Sequence, residues 1–77
     1  MLELTKYIVE QLVDDKSAID IKSTVEDNGT ETISIRVAEN DIGKVIGKQG
    51  KIAMSIRTLA KAVGIREGKR YNIEIED

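Results

Sequence analysis

Two glycines stand three positions apart near the middle of the chain and bracket a lysine and a glutamine, in the run Gly47-Lys48-Gln49-Gly50. Lys44 and Lys51 place further amines on either side of this run. Glycine lets a backbone turn sharply or approach a ligand closely. Amines beside free backbone N–H groups are typical of phosphate binding. The run is therefore a candidate phosphate-binding loop.

Two nucleotide-binding motifs do not fit this run. A Walker-type loop requires G-x-x-x-x-G-K-[ST] directly after a strand. Here only three residues separate Gly43 from Gly47, Gln49 stands where a metal-binding hydroxyl is needed, and a helix is expected before the loop. The dinucleotide fingerprint requires G-x-G, which the chain lacks. Both nucleotide interpretations fail.

Two interpretations of the loop then remain. A tight turn between two helices would explain the glycines, but it would not explain the lysine and glutamine between them. Alternatively, the free N–H groups at the start of the second helix carry partial positive charge and bind an anion. A sugar-phosphate chain could then lie against the glycines. This second interpretation favours single-stranded nucleic acid.

The composition argues against catalysis. The 77 residues contain no cysteine and no histidine. We therefore expect no disulfide, no thiol chemistry and no ordinary zinc site, and the usual general base is missing. Paired carboxylates such as Asp14-Asp15 have no expected pocket around them. We predict no catalytic residue, no metal and no cofactor, in a cytoplasmic domain without a signal peptide or a membrane span.

Charge is divided unevenly along the chain. The net charge is −2, but residues 1–41 carry ten acidic and four basic side chains, whereas residues 42–70 carry eight basic side chains against Glu67 alone. A basic block centred on the glycine run is typical of a polyanion site. Chance clustering of solvated charge is the alternative. Arg57 and Lys61, one turn apart on a predicted helix, fit either use.

Period-four spacing predicts a helix at the N-terminus. Its expected core stripe is Leu4, Ile8 and Leu12, with Tyr7 beside it. Further apolar side chains widen the arc, and core packing is favoured over a partner surface for them. They are Leu2, Val9 and Val13.

Period-two alternation then predicts an antiparallel hairpin, with Asn28-Gly29 as its turn. The side chains expected to face inward are Ile19, Ile21, Val25, Ile33, Ile35 and Val37. Only one face of each strand is apolar. Helices should therefore cover one face of the sheet and leave the other to water.

Two helices and a strand complete the predicted elements. Glu39-Asn40-Asp41 suits a helix N-terminus. A short helix through Ile42, Val45 and Ile46 should stop at Gly47, and a longer one should run from after Gly50 to a glycine cap near Gly64. The predicted core face of the longer helix is Ile52, Ile56, Leu59 and Val63, flanked by Ala53 and Ala60, with Met54 on its outer face. In the last strand Tyr71, Ile73 and Ile75 should face inward.

The predicted order is α-β-β-α-α-β. A crossover of two helices between the second and third strands suits parallel pairing with a right-handed connection. We therefore expect a two-layer α+β fold, in which a mixed three-stranded sheet carries three helices on one face. Residues 1–77 should form a single domain.

The run Ile46-Gly47-Lys48-Gln49-Gly50, preceded by Gly43 and followed by Ile56, resembles the I-G-x-x-G motif of the KH domains. The predicted order of elements is similar to the type II arrangement and covers the whole chain. This resemblance implies non-catalytic binding of single-stranded RNA, with the loop clamping about four backbone nucleotides. It also implies a bacterial cytoplasmic protein that pairs with itself or with a larger KH-containing protein. The resemblance further implies a role as an RNA chaperone in post-transcriptional regulation, or a role in the envelope growth that sets cell shape.

The resemblance also implies roles for individual residues. Gly47 and Gly50 would shape the backbone, and the bases would lie in an apolar groove edged by the second strand near Val37. Phosphate and sugar would be contacted by Lys44, Lys48, Gln49 and Lys51, and the groove would be floored by Val45, Ile46, Ala53 and Ile56. Arg57 completes the predicted RNA-binding set.

Two features predict weak and sequence-tolerant binding. The KH pattern favours a large aliphatic residue where this chain has Ala53, so the groove should be shallower. No aromatic residue lies near the loop in the sequence, so stacking worth about 1–3 kcal/mol per base is not expected. The alternative is an interaction module whose KH surface serves dimerisation, with RNA contacted only by its partner.

Overall fold

Helices and strands follow one another in the predicted order in the computed structural model, which describes residues 1–76. The helices are α1 (Leu2–Leu12), α2 (Ile42–Ile46) and α3 (Lys51–Glu67). The strands are β1 (Asp20–Val25), β2 (Glu31–Arg36) and β3 (Tyr71–Ile75). The order α1-β1-β2-α2-α3-β3 confirms the α+β fold class and fits the KH type II topology. No helix within residues 1–76 is long and apolar enough to cross a membrane.

The three strands form one mixed sheet with β2 in the centre. β1 pairs antiparallel with β2, with Ile21 opposite Ile35. β2 pairs parallel with β3, with Ile33 opposite Ile73. Parallel neighbours cannot be joined by a hairpin, so α2 and α3 form the crossover that connects them. β1 and β3 are therefore the two edge strands.

The hairpin between β1 and β2 turns at the predicted Asn28-Gly29. The Glu26 N–H donates to the Thr30 carbonyl at 2.8 Å, and the Gly29 N–H donates to the Glu26 carbonyl at 2.9 Å. Gly29 has φ 89°, in the region that L-residues rarely adopt. The hairpin is confirmed, but its turn is not a two-residue Asn-Gly turn: Asp27 and Asn28 are the central residues, and Gly29 follows them at positive φ in a three-residue loop.

One apolar cluster joins all three helices to one face of the sheet. It contains Val9, Val13, Ile21, Ile33, Ile35, Val37, Val45, Ile56, Ala60 and Ile73. At its centre, the side chains of Ile33 and Ile35 on the middle strand are 0% exposed. The predicted placement of three helices on one sheet face is confirmed.

The face of α1 that packs on the sheet differs from the predicted stripe. Leu4 is 38% exposed and Tyr7 is 61% exposed, whereas Thr5 and Val9 are fully buried. The apolar arc of α1 is so wide that stripes through residues 4 and 5 both have helical spacing. Thr5 can enter the core because its hydroxyl donates to the Met1 carbonyl at 2.8 Å. Val9 and Val13 are buried in the core cluster, as predicted for core packing, and Leu2 and Ile8 of α1 pack against it.

The end of β1 also departs from the prediction. Val25 is 66% exposed, although the period-two pattern placed it inward. β1 is an edge strand, and Val25 is its last residue, next to the hairpin turn. At this end of the edge strand the period-two alternation continues after the burial has ended.

Helix α3 buries small side chains and runs further than predicted. Ala53 and Ala60 are buried, whereas Leu59 is 37% exposed. Small side chains let the helix backbone approach the sheet, and Leu59 lies at the side of that contact. The helix continues past Gly64 and ends at Glu67, followed by Gly68 in the left-handed conformation (φ 70°, ψ 31°). Gly68, not Gly64, is the C-terminal cap.

Candidate nucleic-acid interface

The backbone of the glycine run forms a 3₁₀ turn between α2 and α3, with three residues at positive φ. Gly47 has φ 79° and ψ 172°, a region that is essentially restricted to glycine. Gly50 is left-handed at φ 76° and ψ 12°. Gln49 is also left-handed, at φ 58° and ψ 24°, although it has a side chain. The loop is therefore held in a conformation that costs free energy, which is common at ligand-binding sites.

The two glycines of the motif, Gly47 and Gly50, are required for different structural reasons. A Cβ on Gly47 would lie 2.5 Å from Ile52 Cγ1 and 2.9 Å from the Ile52 backbone nitrogen. A Cβ on Gly50 would meet nothing within 4 Å. Gly47 thus allows the loop to pack against the first turn of α3, whereas Gly50 is needed only for its backbone angles.

Backbone hydrogen bonds close the turn and engage the first N–H of α3, because the Lys51 N–H donates to the Lys48 carbonyl. The Gly47 N–H donates to the Gly43 carbonyl at 2.8 Å and ends α2, and the Gly50 N–H donates to the Gly47 carbonyl at 3.1 Å. The N-cap residue of α3 is Gly50, which has no side chain to cap the N–H groups that follow. The first N–H groups of a helix have no partner within the helix and carry partial positive charge. The exposed side chains of Lys48, Gln49 and Lys51 surround these groups.

Lys44 differs from the other predicted phosphate-contacting residues because its amine already has partners. Lys44 Nζ contacts a carboxylate oxygen of Asp14 and lies 3.1 Å from Asp41 Oδ1. The hydrogen bond to Asp14, followed by the one to Asp41, raises the pKa of Lys44 above its ordinary value. Lys48 and Lys51 form no ion pair with any residue in the described part of the chain. The free cations of the loop are therefore Lys48 and Lys51.

Asp41 has a role that the sequence did not indicate. We expected it at a helix N-terminus, but its side chain does not cap α2. Instead, the buried Asp41 carboxylate accepts the backbone N–H groups of Asp15 at 3.0 Å and Asp14 at 3.2 Å. These bonds, led by the one from Asp15, lower the pKa of Asp41 despite its burial. No local spacing signal reveals a partner so distant in the chain.

The predicted floor of the groove consists mostly of buried side chains. Val45 is 0% exposed, Ile56 is 3% exposed and Ala53 is 4% exposed. Ile46 is half-buried and is the one of the four with substantial free surface. Val45 can therefore support the groove only by packing beneath it. The assignment of these residues to base contacts stays a prediction.

The open strand edge beside α3 belongs to β3. The predicted groove was edged by the second strand near Val37, and a cavity at the end of that strand is lined by Arg36, Val37, Glu39 and Ile42 and not by Arg57. Arg57 on α3 instead contacts β3, where its Nε donates to the Ile73 carbonyl at 3.4 Å. The structure thus places Arg57 at the boundary between α3 and the free edge of the sheet.

The described residues offer no metal site. Within residues 1–76, no three His, Cys, Asp or Glu side chains are grouped so that they could hold a metal ion. Every buried side-chain nitrogen and oxygen in the described part of the chain has a hydrogen-bond partner. The chemistry that the loop itself offers is recognition of an anion by backbone N–H groups and lysines.

Comparison with known proteins identifies close relatives over almost the full length. The family model "KhpA/KhpB, KH domain" matches residues 3–75. A protein from Caldanaerobacter subterraneus subsp. tengcongensis named "RNA-binding protein KhpA" is 45% identical over 75 residues, covering 97% of this chain and 99% of the relative. A protein of the same name from Listeria monocytogenes is 45% identical over 76 residues, covering 97% of each chain. The one from Borreliella burgdorferi is 36% identical over 76 residues, covering 99% of this chain and 92% of the relative.

Among solved structures, a crystal structure of Era from Aquifex aeolicus shares the fold. The two superpose with a TM-score of 0.62 at 19% sequence identity. The match covers 96% of this chain and 28% of the Era chain. At this identity the likeness concerns the fold alone. The element order, the G-x-x-G loop and the match over residues 3–75 lead to one conclusion: this chain belongs to the KhpA/KhpB KH-domain family.

Proposed function

We propose that this chain binds single-stranded RNA, without catalysis, through the loop Gly47–Gly50. The observation that carries the proposal is the uncapped N-terminus of α3 directly after this loop, with exposed Lys48 and Lys51 beside it. Free N–H groups and amines together favour a phosphate. The name "RNA-binding protein", borne by the relatives, supports RNA as the source of that phosphate.

Each loop residue then has a distinct task. Gly47 packs against the start of α3 without a side chain, so a sugar-phosphate chain can approach the backbone closely. Lys48 and Lys51 supply positive charge, and Gln49 offers an amide to a phosphate or a sugar hydroxyl. Lys44 holds Asp14 and Asp41, so its contribution is to fix the position of α2. The loop addresses the backbone of the nucleic acid more than its bases.

Binding is expected to be weak and tolerant of sequence. The chain has two aromatic residues, Tyr7 and Tyr71. Tyr7 lies on α1, and Tyr71 begins β3 and donates a hydrogen bond to Glu67, so neither belongs to the loop. Without stacking, a KH loop loses about 1–3 kcal/mol per base of sequence-tolerant affinity. The affinity should therefore depend strongly on salt.

Fluorescence anisotropy of a labelled mixed-sequence single-stranded RNA tests the proposal. The double variant Lys48→Asp, Gln49→Asp places two negative charges in the loop, and circular dichroism verifies its fold. The matched control is Lys16→Asp, Ser17→Asp, which changes the charge equally in an exposed turn between α1 and β1. Loss of binding in the loop variant alone supports the proposal. Equal binding by wild type and the loop variant, or no binding by wild type, would contradict it.

We also propose that the domain, acting as one unit over residues 1–77, pairs with itself or with a larger KH-containing protein of the KhpB/Jag type. Met54 and Leu59 on α3 are 63% and 37% exposed, and the family name couples two KH proteins. Burial of such side chains by a second protein would remove apolar surface from water and stabilise the pair. Sedimentation over a range of concentrations tests the pairing with a second copy, with Met54→Glu as the disrupting variant. A monomer at every concentration would contradict self-pairing.

The expected setting is the bacterial cytoplasm, in post-transcriptional regulation. Within that setting, we expect the protein to act as an RNA chaperone and to affect cell shape, as the family resemblance implies. Crosslinking of the chain to RNA in growing cells, compared with the Lys48→Asp, Gln49→Asp variant, tests the setting. Absence of crosslinked RNA with wild type would contradict it.

A further inference from the structure

A groove of about 530 Å³ lies between α3 and the open edge of β3, outside the glycine loop. Four basic side chains line it: Arg57, Lys61, Lys69 and Arg70. Its apolar surface includes Ile65, which is 74% exposed, and Ile73. We name this surface the α3–β3 groove. No role for Lys61, Lys69 or Arg70 follows from the G-x-x-G motif.

The cations of the α3–β3 groove come from both of its walls. Arg57, Lys61 and Ile65 are four residues apart along α3, so they lie on one face of the helix. The hydrogen bond from Arg57 Nε to the Ile73 carbonyl shows that this face is turned toward β3. Lys69 and Arg70 connect α3 to β3 and form the opposite boundary. A ligand in the groove would meet positive charge from two sides.

No acidic side chain within residues 1–76 neutralises these cations. None of the four forms an ion pair with the described residues, and no carboxylate lines the groove. Glu67, the one acidic residue of the basic block, is engaged with Tyr71, whose hydroxyl donates to Glu67 Oε1 at 2.5 Å. Four clustered cations without counter-charges repel one another, and a polyanion relieves that repulsion.

We propose that single-stranded RNA leaving the loop continues into the α3–β3 groove, where Lys61, Lys69 and Arg70 contact its phosphates. The proposal rests on the proposed function, because it extends the same strand of RNA. Along α3, Arg57 lies about 9 Å and Lys61 about 15 Å from Lys51 at a rise of 1.5 Å per residue. At 3.6 residues per turn, Arg57 and Lys61 are rotated by about 120° and 80° around α3 from Lys51, so an RNA strand would pass round the helix from the loop to the groove. The footprint of the chain then exceeds the roughly four nucleotides that a G-x-x-G loop clamps.

The short distance along α3 between the loop and the groove favours RNA over the other ligand that this geometry admits. An edge strand can pair with an extended peptide, and a basic groove would select an acidic one. The groove, however, begins at Arg57, two helical turns after the phosphate-binding N-terminus of α3. A strand bound at the loop would therefore bring further phosphates to Arg57 without a separate encounter. The acidic peptide is an outcome that the test distinguishes.

The experiment measures the affinity for labelled RNAs of 4 and 12 nucleotides by anisotropy at two salt concentrations. The groove variant is Lys61→Gln, Lys69→Gln, Arg70→Gln, with circular dichroism as the check of folding. A double variant, Lys61→Gln, Lys69→Gln, serves if the triple variant does not fold. The matched control, Lys6→Gln, Lys16→Gln, Lys22→Gln, removes the same charge from the side of α1 and β1. The loop variant Lys48→Asp, Gln49→Asp is measured in parallel.

The expected result is a loss confined to the longer RNA. The groove variant should bind the 12-nucleotide RNA roughly tenfold more weakly, with a logarithmic salt slope reduced by about 2 for three lost contacts. It should bind the 4-nucleotide RNA like wild type, and the control should bind both RNAs like wild type.

Three results would overturn the proposal. The first is unchanged affinity for the 12-nucleotide RNA, and the second is an equal loss with both lengths or with the control. The third is displacement of the 12-nucleotide RNA by a poly-glutamate peptide of equal length at equal concentration. These failures are separate from failure of the proposed function, in which the loop variant binds both RNAs like wild type.

Discussion

Asp41 accepts a hydrogen bond at 3.0 Å from the backbone N–H of Asp15, which lies 26 residues earlier in the chain. The same carboxylate accepts the Asp14 N–H and pairs with Lys44, whose Nζ is 3.1 Å away. Asp41 immediately precedes α2, so this cluster joins the end of α1 to the helix that leads into the glycine loop. The position of the loop therefore depends on a buried carboxylate that lies outside the loop itself.

The first prediction concerns acid stability. The pKa of Asp41 is lowered below 3.8 in the folded chain, first by the Asp15 N–H. A group with a lowered folded pKa contributes stability above its unfolded pKa, and that contribution is lost as the pH falls through the folded value. We expect the free energy of unfolding to fall as the pH drops below about 4, the ordinary range of an aspartate. Asp41→Asn should reduce this fall, which urea unfolding across pH would measure.

The control for this prediction is Asp27→Asn in the hairpin turn. Asp27 is exposed, and its carboxylate makes no hydrogen bond or ion pair with the described residues. This variant should keep the pH dependence of wild type. Identical pH dependence in wild type and Asp41→Asn would show that the cluster does not hold α1 against α2.

The second prediction separates the two glycines of the motif. Asn tolerates the left-handed conformation of Gly50, but the angles of Gly47 are essentially restricted to glycine. Gly47→Asn should therefore lower the free energy of unfolding by about 1–3 kcal/mol more than Gly50→Asn. Thermal or urea unfolding of both variants measures the difference. Equal stability of the two variants would be inconsistent with the loop conformation described above.

The third prediction concerns the interior of α3. A Cβ at Gly64 would lie 2.6 Å from the carbonyl oxygen of Lys69, a residue whose N–H donates to the Gly64 carbonyl at 2.8 Å. Gly64→Ala should destabilise the fold by about 1–3 kcal/mol, the usual cost of overpacking. Gly43→Ala is the matched control, since a Cβ there meets nothing within 4 Å. The control should be neutral or stabilising by up to about 1 kcal/mol, and a stabilising Gly64→Ala would refute the close contact.

The fourth prediction concerns alkaline titration. The hydrogen bond to Glu67 is the main cause that raises the pKa of Tyr71 from 10.0 to about 12. In a Tyr7→Phe background, the tyrosinate absorbance should rise near pH 12, and the added Glu67→Gln should shift that rise to lower pH. Because the folded pKa is raised, the stability from this pair is present below pH 10 and lost on approach to 12. An unchanged titration after Glu67→Gln would contradict the pairing.

Local signals in the sequence predicted the elements and their order. The hairpin at Asn28-Gly29, the helices on either side of the G-x-x-G run and the final alternating strand are confirmed. These features are set by periodicity and by turn chemistry, which act between residues close in the chain. The parallel pairing of β2 with β3 followed from the same source, because a crossover of two helices allows little else.

The faces of the helices were harder to predict. Leu4 and Leu59 were assigned to the core, yet Thr5 and Ala60 occupy it. Wide apolar arcs fit several stripes, and the choice depends on how closely each helix can approach the sheet. Here the buried faces carry the small residues Thr5 and Ala60. These residues contribute little hydrophobicity, so they do not stand out in the periodic pattern of the sequence.

The sequence by itself determined the fold class, the position of the loop and the concentration of positive charge after residue 41. The tertiary structure decided which charges are free. It paired Lys44 with Asp14 and Asp41 and left Lys48 and Lys51 unpaired among the described residues. It also brought Lys61 on α3 beside Lys69 and Arg70 at the free edge of β3. The physical reason is that ion pairs and grooves join residues far apart in the chain, whereas sequence patterns report only on neighbours.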